Sequence, residues 1–351
     1  MDLVVYDHLK INEITRPRVG EIRLGEKVKT IPWNQKLNWQ QALADMRERY
    51  VLLGLPEDIG VRANFGRGGA YSAWQPALST LLNIQSNARF LGDELIVLGH
   101  VDFSKEMEEM KSLDVQNPEM LQRARELVSE IDEVANSILK NIFDAGKEAI
   151  VIGGGHNNAY GLLKGLSRAM KEKGHQEIGC INCDAHSDFR RLEGRHSGNA
   201  FSYAVHDEYL QRYSIIGLHE IFNISQVMDD LIHNKKLQAT WFEEIFVREE
   251  ITFQEAVMKA IQFNKGIPVG LELDFDIIQN IPSSAKTSSG ISTIQARQYV
   301  HWVATHSDVK YFHLAEAAPI LSHIKTDLKT GKLIAYLISD FIKARNQIKQ
   351  S

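Results

Sequence analysis

From residue 149 onward, short apolar runs alternate with longer segments in which apolar residues recur every three or four positions. The runs at 149–152, 178–182, 213–217, 237–242, 267–273 and 310–314 predict buried strands, and the segments at 158–173, 225–234, 252–264, 293–306 and 333–348 predict helices. Strands that alternate with helices are joined by right-handed crossovers, which makes the sheet mostly parallel and puts helices on both faces. The first part of the chain is less regular. It predicts a strand at 3–6, strand and loop over 22–31, a helix over 39–49, a strand at 51–54, a helix over 73–83 and a strand at 94–98 closing at Gly99-His100-Val101-Asp102. Leu121, Ala124, Leu127, Ile131, Val134, Ile138 and Ile142 then lay one apolar stripe along a long helix over 118–144. No internal repeat, low-complexity tract or Pro/Ser-rich linker breaks the pattern, so an α/β fold built as one domain over 1–351 is expected.

Composition narrows the functions available. With 351 residues, 44% hydrophobic and 24% charged, the chain can bury a large core and is neither disordered nor fibrous. A net charge of −5 with both signs mixed leaves no basic footprint, so the expected partner is a small molecule rather than nucleic acid or an anionic membrane. Residues 1–20 lack a basic segment followed by an apolar core, and no apolar run approaches membrane-spanning length; cytoplasmic residence is expected.

Candidate chemistry collects where the predicted strands end, which is where α/β sheets gather ligand-binding groups. Gly153-Gly154-Gly155-His156 follows one run, Asp184-Ala185-His186-Ser187-Asp188 a second, and Glu272-Leu273-Asp274-Phe275-Asp276 a third. On extended backbone Asp184, His186 and Asp188 point to one side. His156, Asp184, His186, Asp188, Asp274 and Asp276 are too many for one structural zinc and include no thiolate; they fit two hard divalent ions. Carboxylates outnumber imidazoles, which suits Mn²⁺ better than Zn²⁺ or Cu²⁺, with Ni²⁺, Co²⁺ and Zn²⁺ left open. Four acids brought together repel one another unless cations lie between them. Two ions sharing a water lower its pKa toward neutrality, so hydrolysis is the expected reaction. Singly, each cluster also reads as a helix cap, a turn or a buried ring.

Three other features are more ambiguous. Cys180 and Cys183 have redox or zinc spacing, but they lie in a predicted strand and no second pair exists, which favours two reduced buried thiols. His100 and Asp102 could be ligands, though a core histidine and a cap are favoured. The Gly-rich loop over 55–70 is either a rim of the site or an ordinary surface turn.

In order and separation, Gly-Gly-Gly-His, Asp-Ala-His-Ser-Asp and Leu-Asp-Phe-Asp resemble the ureohydrolase family of arginase, agmatinase and formiminoglutamase. Pro56-Glu57-Asp58-Ile59-Gly60-Val61-Arg62, with Asn64, Gly66, Arg67, Gly69 and Ala70, matches the family's N-terminal signature, so the likeness spans nearly the whole chain. The resemblance implies a three-layer α/β/α fold with a mostly parallel central sheet, a binuclear Mn²⁺ centre, and cleavage at an amidine or guanidine carbon. By motif, His156, Asp184, Asp188 and Asp274 would hold one ion and Asp184, His186, Asp274 and Asp276 the other, with Asp184 and Asp274 bridging. Glu316, in His313-Leu314-Ala315-Glu316, would orient the substrate's planar nitrogen group by accepting two parallel N–H bonds. Asp188 or a water would relay a proton to the leaving nitrogen, and Ser197 and Asn199 would meet the substrate's distal end.

The departures point to a subfamily. Arginases and agmatinases place a proton-shuttling histidine where this chain has Phe201, whereas formiminoglutamases share Ser-Gly-x-x-Phe, an arginine close behind Asp-x-His-x-Asp, as Arg190 is here, and a loop like Gly217 to Asn223. Arg190, Arg191 and Arg195 could pair with the two carboxylates of N-formimino-L-glutamate, or form a solvated basic loop. The expected reaction converts that compound to glutamate and formamide. Alternatives are a guanidino hydrolase releasing urea and an inactive member serving as a binding or structural protein; a homo-oligomer is expected. A deacetylase-like protein would need a single-metal site and is disfavoured by His156 and Asp276. Glu272 stands where a small residue is usual and could be a base, a replacement ligand or a disturbance, His313 stands where an acid is common, and 283–292 is unusually Ser-rich.

Overall fold

The apolar runs pair into a single sheet in the computed structural model, which describes residues 1–322 and 328–347. Its strands are β1 Asp2–Val5, β2 Tyr50–Gly54, β3 Leu95–Asp102, β4 Glu148–Ile152, β5 Gly179–Cys183, β6 Arg212–Leu218, β7 Leu237–Trp241, β8 Pro268–Asp274 and β9 Asp308–Ala315. They lie in the order β1-β3-β2-β4-β9-β8-β5-β6-β7, with β1 antiparallel to β3 and every other pair parallel. β2, β4, β5 and β8 are buried at every position, as strands covered on both faces must be.

Alternate side chains of these strands enter two separate cores. Leu52, Ile150, Ile181 and Leu271 pack against helices Trp74–Leu82, Phe253–Phe263, Thr293–His306 and Leu328–Gln347 on one face. Val51, Val151, Cys180 and Ile215 pack against Pro118–Asp144, Asn158–Glu172 and Ala200–His206 on the other. The result is the expected three-layer α/β/α arrangement. The long helix Pro118–Asp144 opens with Pro in its first turn and the Asn117 side chain accepting from Glu119 and Met120 N–H groups. It lies so close to Asn158–Glu172 that a Cβ on Gly161 would come within 2.8 Å of the Asp132 carbonyl.

Topology places the chemistry. The chain runs from β4 to β5 without pairing them, and β9 and β8 later fill the gap. Ile152 pairs with Leu314, Leu314 with Leu273 and Leu273 with Cys183, so four central strands stop at one level. Asp184, Asp274, Glu316 and the Gly153–Gly155 turn therefore emerge side by side.

Several boundaries differ from expectation. β3 continues through Asp102 because β1 pairs with residues 99–102, so His100 is not at a strand end. Its half-buried ring packs 5.5 Å from Tyr6 and 6.3 Å from Trp74, and Asp102 accepts the Ser104 N–H at 2.9 Å where the next helix starts. Residues 22–31 form a short turn at Leu24–Glu26 and isolated bridges instead of a strand, and the helix begun at Trp39 ends at Asp45. Helix Ser104–Ser112 went unread because it buries only Met110 and shows no apolar stripe. The last helix begins at Leu328, five residues before its expected start at Leu333; Ile348 lies outside the described residues. Among the described residues no helix is long and apolar enough to cross a membrane.

Cys180 and Cys183 are three apart on β5 and enter opposite cores, so they cannot pair. Burial pushes both thiols well up. A thiol reagent is expected to leave the folded protein unlabelled and to label both cysteines after denaturation; rapid labelling of the folded protein would contradict this placement.

Candidate metal centre

His156 is positioned by a turn that demands glycine. Gly153 and Gly154 take φ values of 85° and 80°, and a Cβ on Gly154 would meet Asn158 Nδ2 at 2.0 Å and the Leu55 carbonyl at 2.8 Å. The buried Glu57 carboxylate fastens this turn to the 55–70 loop, accepting from the N–H groups of Ile59 and Gly155 and from the side-chain amides of Asn157 and Asn158. The fully buried His156 ring rests edge-on at 5.2 Å from Phe201, which stacks on Tyr213.

Three carboxylate oxygens converge on one nitrogen of that ring. His156 Nδ1 lies 2.9 Å from Asp188 Oδ2, 3.0 Å from Asp274 Oδ2 and 3.2 Å from Asp184 Oδ2. Nδ1 is buried, and none of the three is set to take a well-directed hydrogen bond from it. Spacings near 3 Å are those of neighbouring ligands around an ion with bonds of about 2.1 Å. These four residues therefore fit a divalent cation.

The electrostatics agree. Burial disfavours a charged His156, yet Asp184, Asp188, Asp274 and Glu272 raise its pKa well above the ordinary value. Burial and the charges of Asp184 and Asp276 push Asp274 well up, and burial with Asp184 pushes Asp188 up. Asp184 is held down despite its burial, because His156 and His186 face it. Against the cost of burial, Asp184 and its neighbours raise His186 to about 10. Shifts of this kind favour protons on the cluster wherever no cation neutralises its acids.

The second expected group is looser. His186 Nδ1 lies 3.6 Å from Asp184 Oδ1 and 3.9 Å from Asp276 Oδ2, its ring stacked on Phe222. Asp276 is held by Ser284 Oγ at 3.0 Å and the Ala285 N–H at 2.9 Å. The alternation expected for Asp184, His186 and Asp188 does not occur. β5 stops at Cys183, Asp184 Oδ1 accepts the His186 N–H at 2.7 Å, and Asp188 adopts φ 45°. This turn sends Asp188 to His156 and His186 toward Asp276.

Glu316 also departs from ordinary backbone, at φ 63°. Its Oε1 accepts the His156 N–H at 2.7 Å, while Oε2 is buried without a well-directed donor among the described residues. Burial and nearby Asp276 push its carboxyl up to about 8. Asp188, His186, Asp274, Asp276 and Glu316 border a cleft of about 320 Å³. Arg190 and Ser197 line the same cleft.

Arg195 and Asn199 do not reach the cleft. Arg195 is 5% exposed, pairs with Asp132 at 2.9 Å, donates to Asn199 Oδ1 and the Asn157 carbonyl, and lies over the rings of Tyr160 and Tyr203. Asn199 spends its amide on the Arg191 and Gly194 carbonyls. The ion-pair partner of Arg195 comes from a helix sixty-three residues back in sequence, so the local pattern showed only a basic loop. Arg191 is exposed beside the cleft, and Phe201 is core beneath it.

Other residues of the wall stand out in the sequence only as parts of longer stretches, Asn64 within the N-terminal signature. Asn64 links Arg190 and Ser197, at 3.1 and 3.3 Å, and thereby makes the 55–70 loop a rim of the cleft. Phe222 and Ser284 lay in stretches already noted, the 217–223 loop and the Ser-rich 283–292 segment, but nothing local marked them.

A nine-stranded α/β sheet thus gathers a histidine and acids at its central strand ends, in a group that could hold a metal ion. The arginase-family profile matches residues 51–342, and the chain belongs to the arginase family. It is 25% identical over 280 residues to a formimidoylglutamase of Streptococcus pyogenes, covering 77% of each chain. The structure of Trypanosoma cruzi formiminoglutamase with Mn²⁺ aligns with a TM-score of 0.67 at 18% identity, over 92% of this chain and 98% of that one. Bacillus subtilis formimidoylglutamase aligns with a TM-score of 0.68 at 16% identity, over 95% and 94%. The fold is shared throughout.

Mn²⁺ at a hundredfold excess over its Kd should stabilise the protein by about 2.7 kcal/mol, an effect absent from Asp184→Asn in thermal unfolding. Because the ion displaces protons from His156 and His186, its apparent affinity should rise with pH, checked by titration calorimetry in buffers of different ionisation enthalpy. Arg195→Leu should cost about 3 to 5 kcal/mol in denaturant unfolding, since it strands Asp132 in the core. Unchanged stability would return Arg195 to the surface.

Proposed function

We propose that this chain hydrolyses the linear C–N bond of an amidine that carries a carboxylate tail, specifically N-formimino-L-glutamate to glutamate and formamide. The observation that carries this is the charge layout of the cleft: acids on its floor suit a cationic amidinium, and Arg190 at its wall suits a carboxylate. The formimidoylglutamase name of the curated relative supports the formimino group over a guanidino group.

His156, Asp184, Asp188 and Asp274 would hold one Mn²⁺, and His186 and Asp276, sharing Asp184 and Asp274, a second. When bound, the pair acidifies a shared water and supplies hydroxide at neutral pH. Glu316, fixed by the His156 N–H, accepts N–H bonds from the amidinium and holds its carbon over the acids. Hydroxide adds to that carbon, the proton given up by the water passes through Asp188 to the glutamate nitrogen, the C–N bond breaks, and the hydroxyl proton follows to the amine as formamide and glutamate leave. Phe201 is sealed in the core and cannot carry a proton, which disfavours the shuttle-dependent guanidino chemistry.

The test is turnover by the Mn²⁺-loaded protein of N-formimino-L-glutamate, arginine, agmatine and guanidinobutyrate, with formamide and urea measured separately. Formamide from the first alone is expected, and Asp184→Asn should abolish it. Arg190→Ala should raise KM roughly 10- to 100-fold, with less effect on kcat, for the loss of one charged contact. Urea from arginine would overturn the substrate; no product from any compound would mark an inactive family member.

A further inference from the structure

A second layer of polar side chains lies directly under the ligands. Glu272 precedes Asp274 by two positions on β8 and so shares its face, and its register partner on β9 is His313. Both are completely buried. Glu272 Oε1 accepts the Tyr311 hydroxyl at 2.7 Å, and Oε2 lies 2.6 Å from His313 Nδ1 and 3.4 Å from His156 Nε2. His313 is itself braced by the Gly153 carbonyl at 3.3 Å, beneath the turn that carries His156.

His156 has two ring nitrogens with different surroundings. Nδ1 faces the oxygens of Asp184, Asp188 and Asp274, and a nitrogen that ligates a cation carries no proton. The neutral ring then keeps its proton on Nε2. That nitrogen is buried, and a buried N–H without an acceptor costs about 1 to 3 kcal/mol. The group that faces it is the Glu272 carboxylate, whose Oε2 stands 3.4 Å away, close enough to accept once the ring turns slightly toward it but not a well-directed hydrogen bond as it lies. A third ion between Glu272, His313 and His156 is a poor alternative, because 2.6 Å between Glu272 and His313 is a hydrogen-bond distance and His156 would have to lose both protons.

We propose that Glu272 is a positioning residue for the metal centre: it accepts the His156 Nε2–H, fixes the tautomer that presents a bare Nδ1, and makes the imidazole a stronger donor. This inference rests on the metal reading of the site. A charged acceptor does more here than a neutral one, because it pushes electron density into the ring and adds negative potential below the cation. Tyr311 and His313 are what keep Glu272 in place, so the ring orientation depends on β9 as well as β8.

The experiment is calorimetric titration of the metal-free protein with MnCl₂, for the wild type, Glu272→Gln and Tyr311→Phe. Glu272→Gln should weaken Mn²⁺ binding 10- to 100-fold, the range for loss of such a partner, and Tyr311→Phe by a smaller factor. The Co²⁺-loaded Glu272→Gln protein should also show shifted visible absorption, which loose packing alone would not produce. Undiminished Mn²⁺ affinity in a folded Glu272→Gln variant overturns the proposal. If that variant does not fold, Tyr311→Phe decides, and unchanged affinity there overturns it equally. No Mn²⁺ binding by the wild type would instead sink the metal centre itself, so the two failures are distinguishable.

Discussion

Mutual repulsion among buried acids is the constraint on which this structure depends. Asp184, Asp274, Asp276, Glu272 and Glu316 are all nearly inaccessible to water, and Asp188 lies beside them. A buried carboxylate is costly alone and costlier beside another, so such a group persists only with protons or cations among its members. The raised pKa values of Asp274, Asp188 and Glu316 and of both histidines are the proton answer to that cost. A divalent ion is the other answer, and the oxygens around His156 Nδ1 are already spaced for one.

The sheet makes this crowding unavoidable. Once β9 and β8 enter between β4 and β5 in register, four strands must deliver their next residues to the same place. Local backbone then adjusts the aim. Asp188 and Glu316 both sit at positive φ, a conformation that costs a non-glycine residue about 1 to 3 kcal/mol and persists only where the surroundings enforce it. At Glu316 the enforcing contacts are the Gly154 carbonyl and the His156 N–H, which belong to the turn that carries the first ligand. Strain, turn and ligand are thus one coupled unit.

The three arginines of the 190–195 stretch show how one local signal can divide. Arg190 extends to the cleft and is steadied by Asn64. Arg195, five residues on, turns inward onto Asp132 and two tyrosine rings and pins the loop to the helix layer. A basic loop is therefore both a wall of the cleft and a structural clamp. Rigid anchoring of one arginine helps hold the other at a fixed distance from the acids, as the proposed recognition of a short two-ended substrate requires.

The alternation of apolar runs and amphipathic segments determined the α/β class, the parallel sheet and most of its strands, because burial on two faces leaves a direct mark on residue order. The three motifs likewise declared the candidate ligands, since chemistry of that kind is written in residue type and spacing. What residue order could not contain were facts about pairing. The extension of β3 depended on β1, the inward turn of Arg195 on Asp132 sixty-three residues away, and the separation of His186 from Asp188 on a turn closed by Asp184. Glu272 was visible as an oddity, and only the register of β8 with β9 gave it His313, Tyr311 and His156 as neighbours. Pattern along a chain records what must be buried; which buried groups meet is decided by strand order, because contacts across a sheet join residues that share no stretch of sequence.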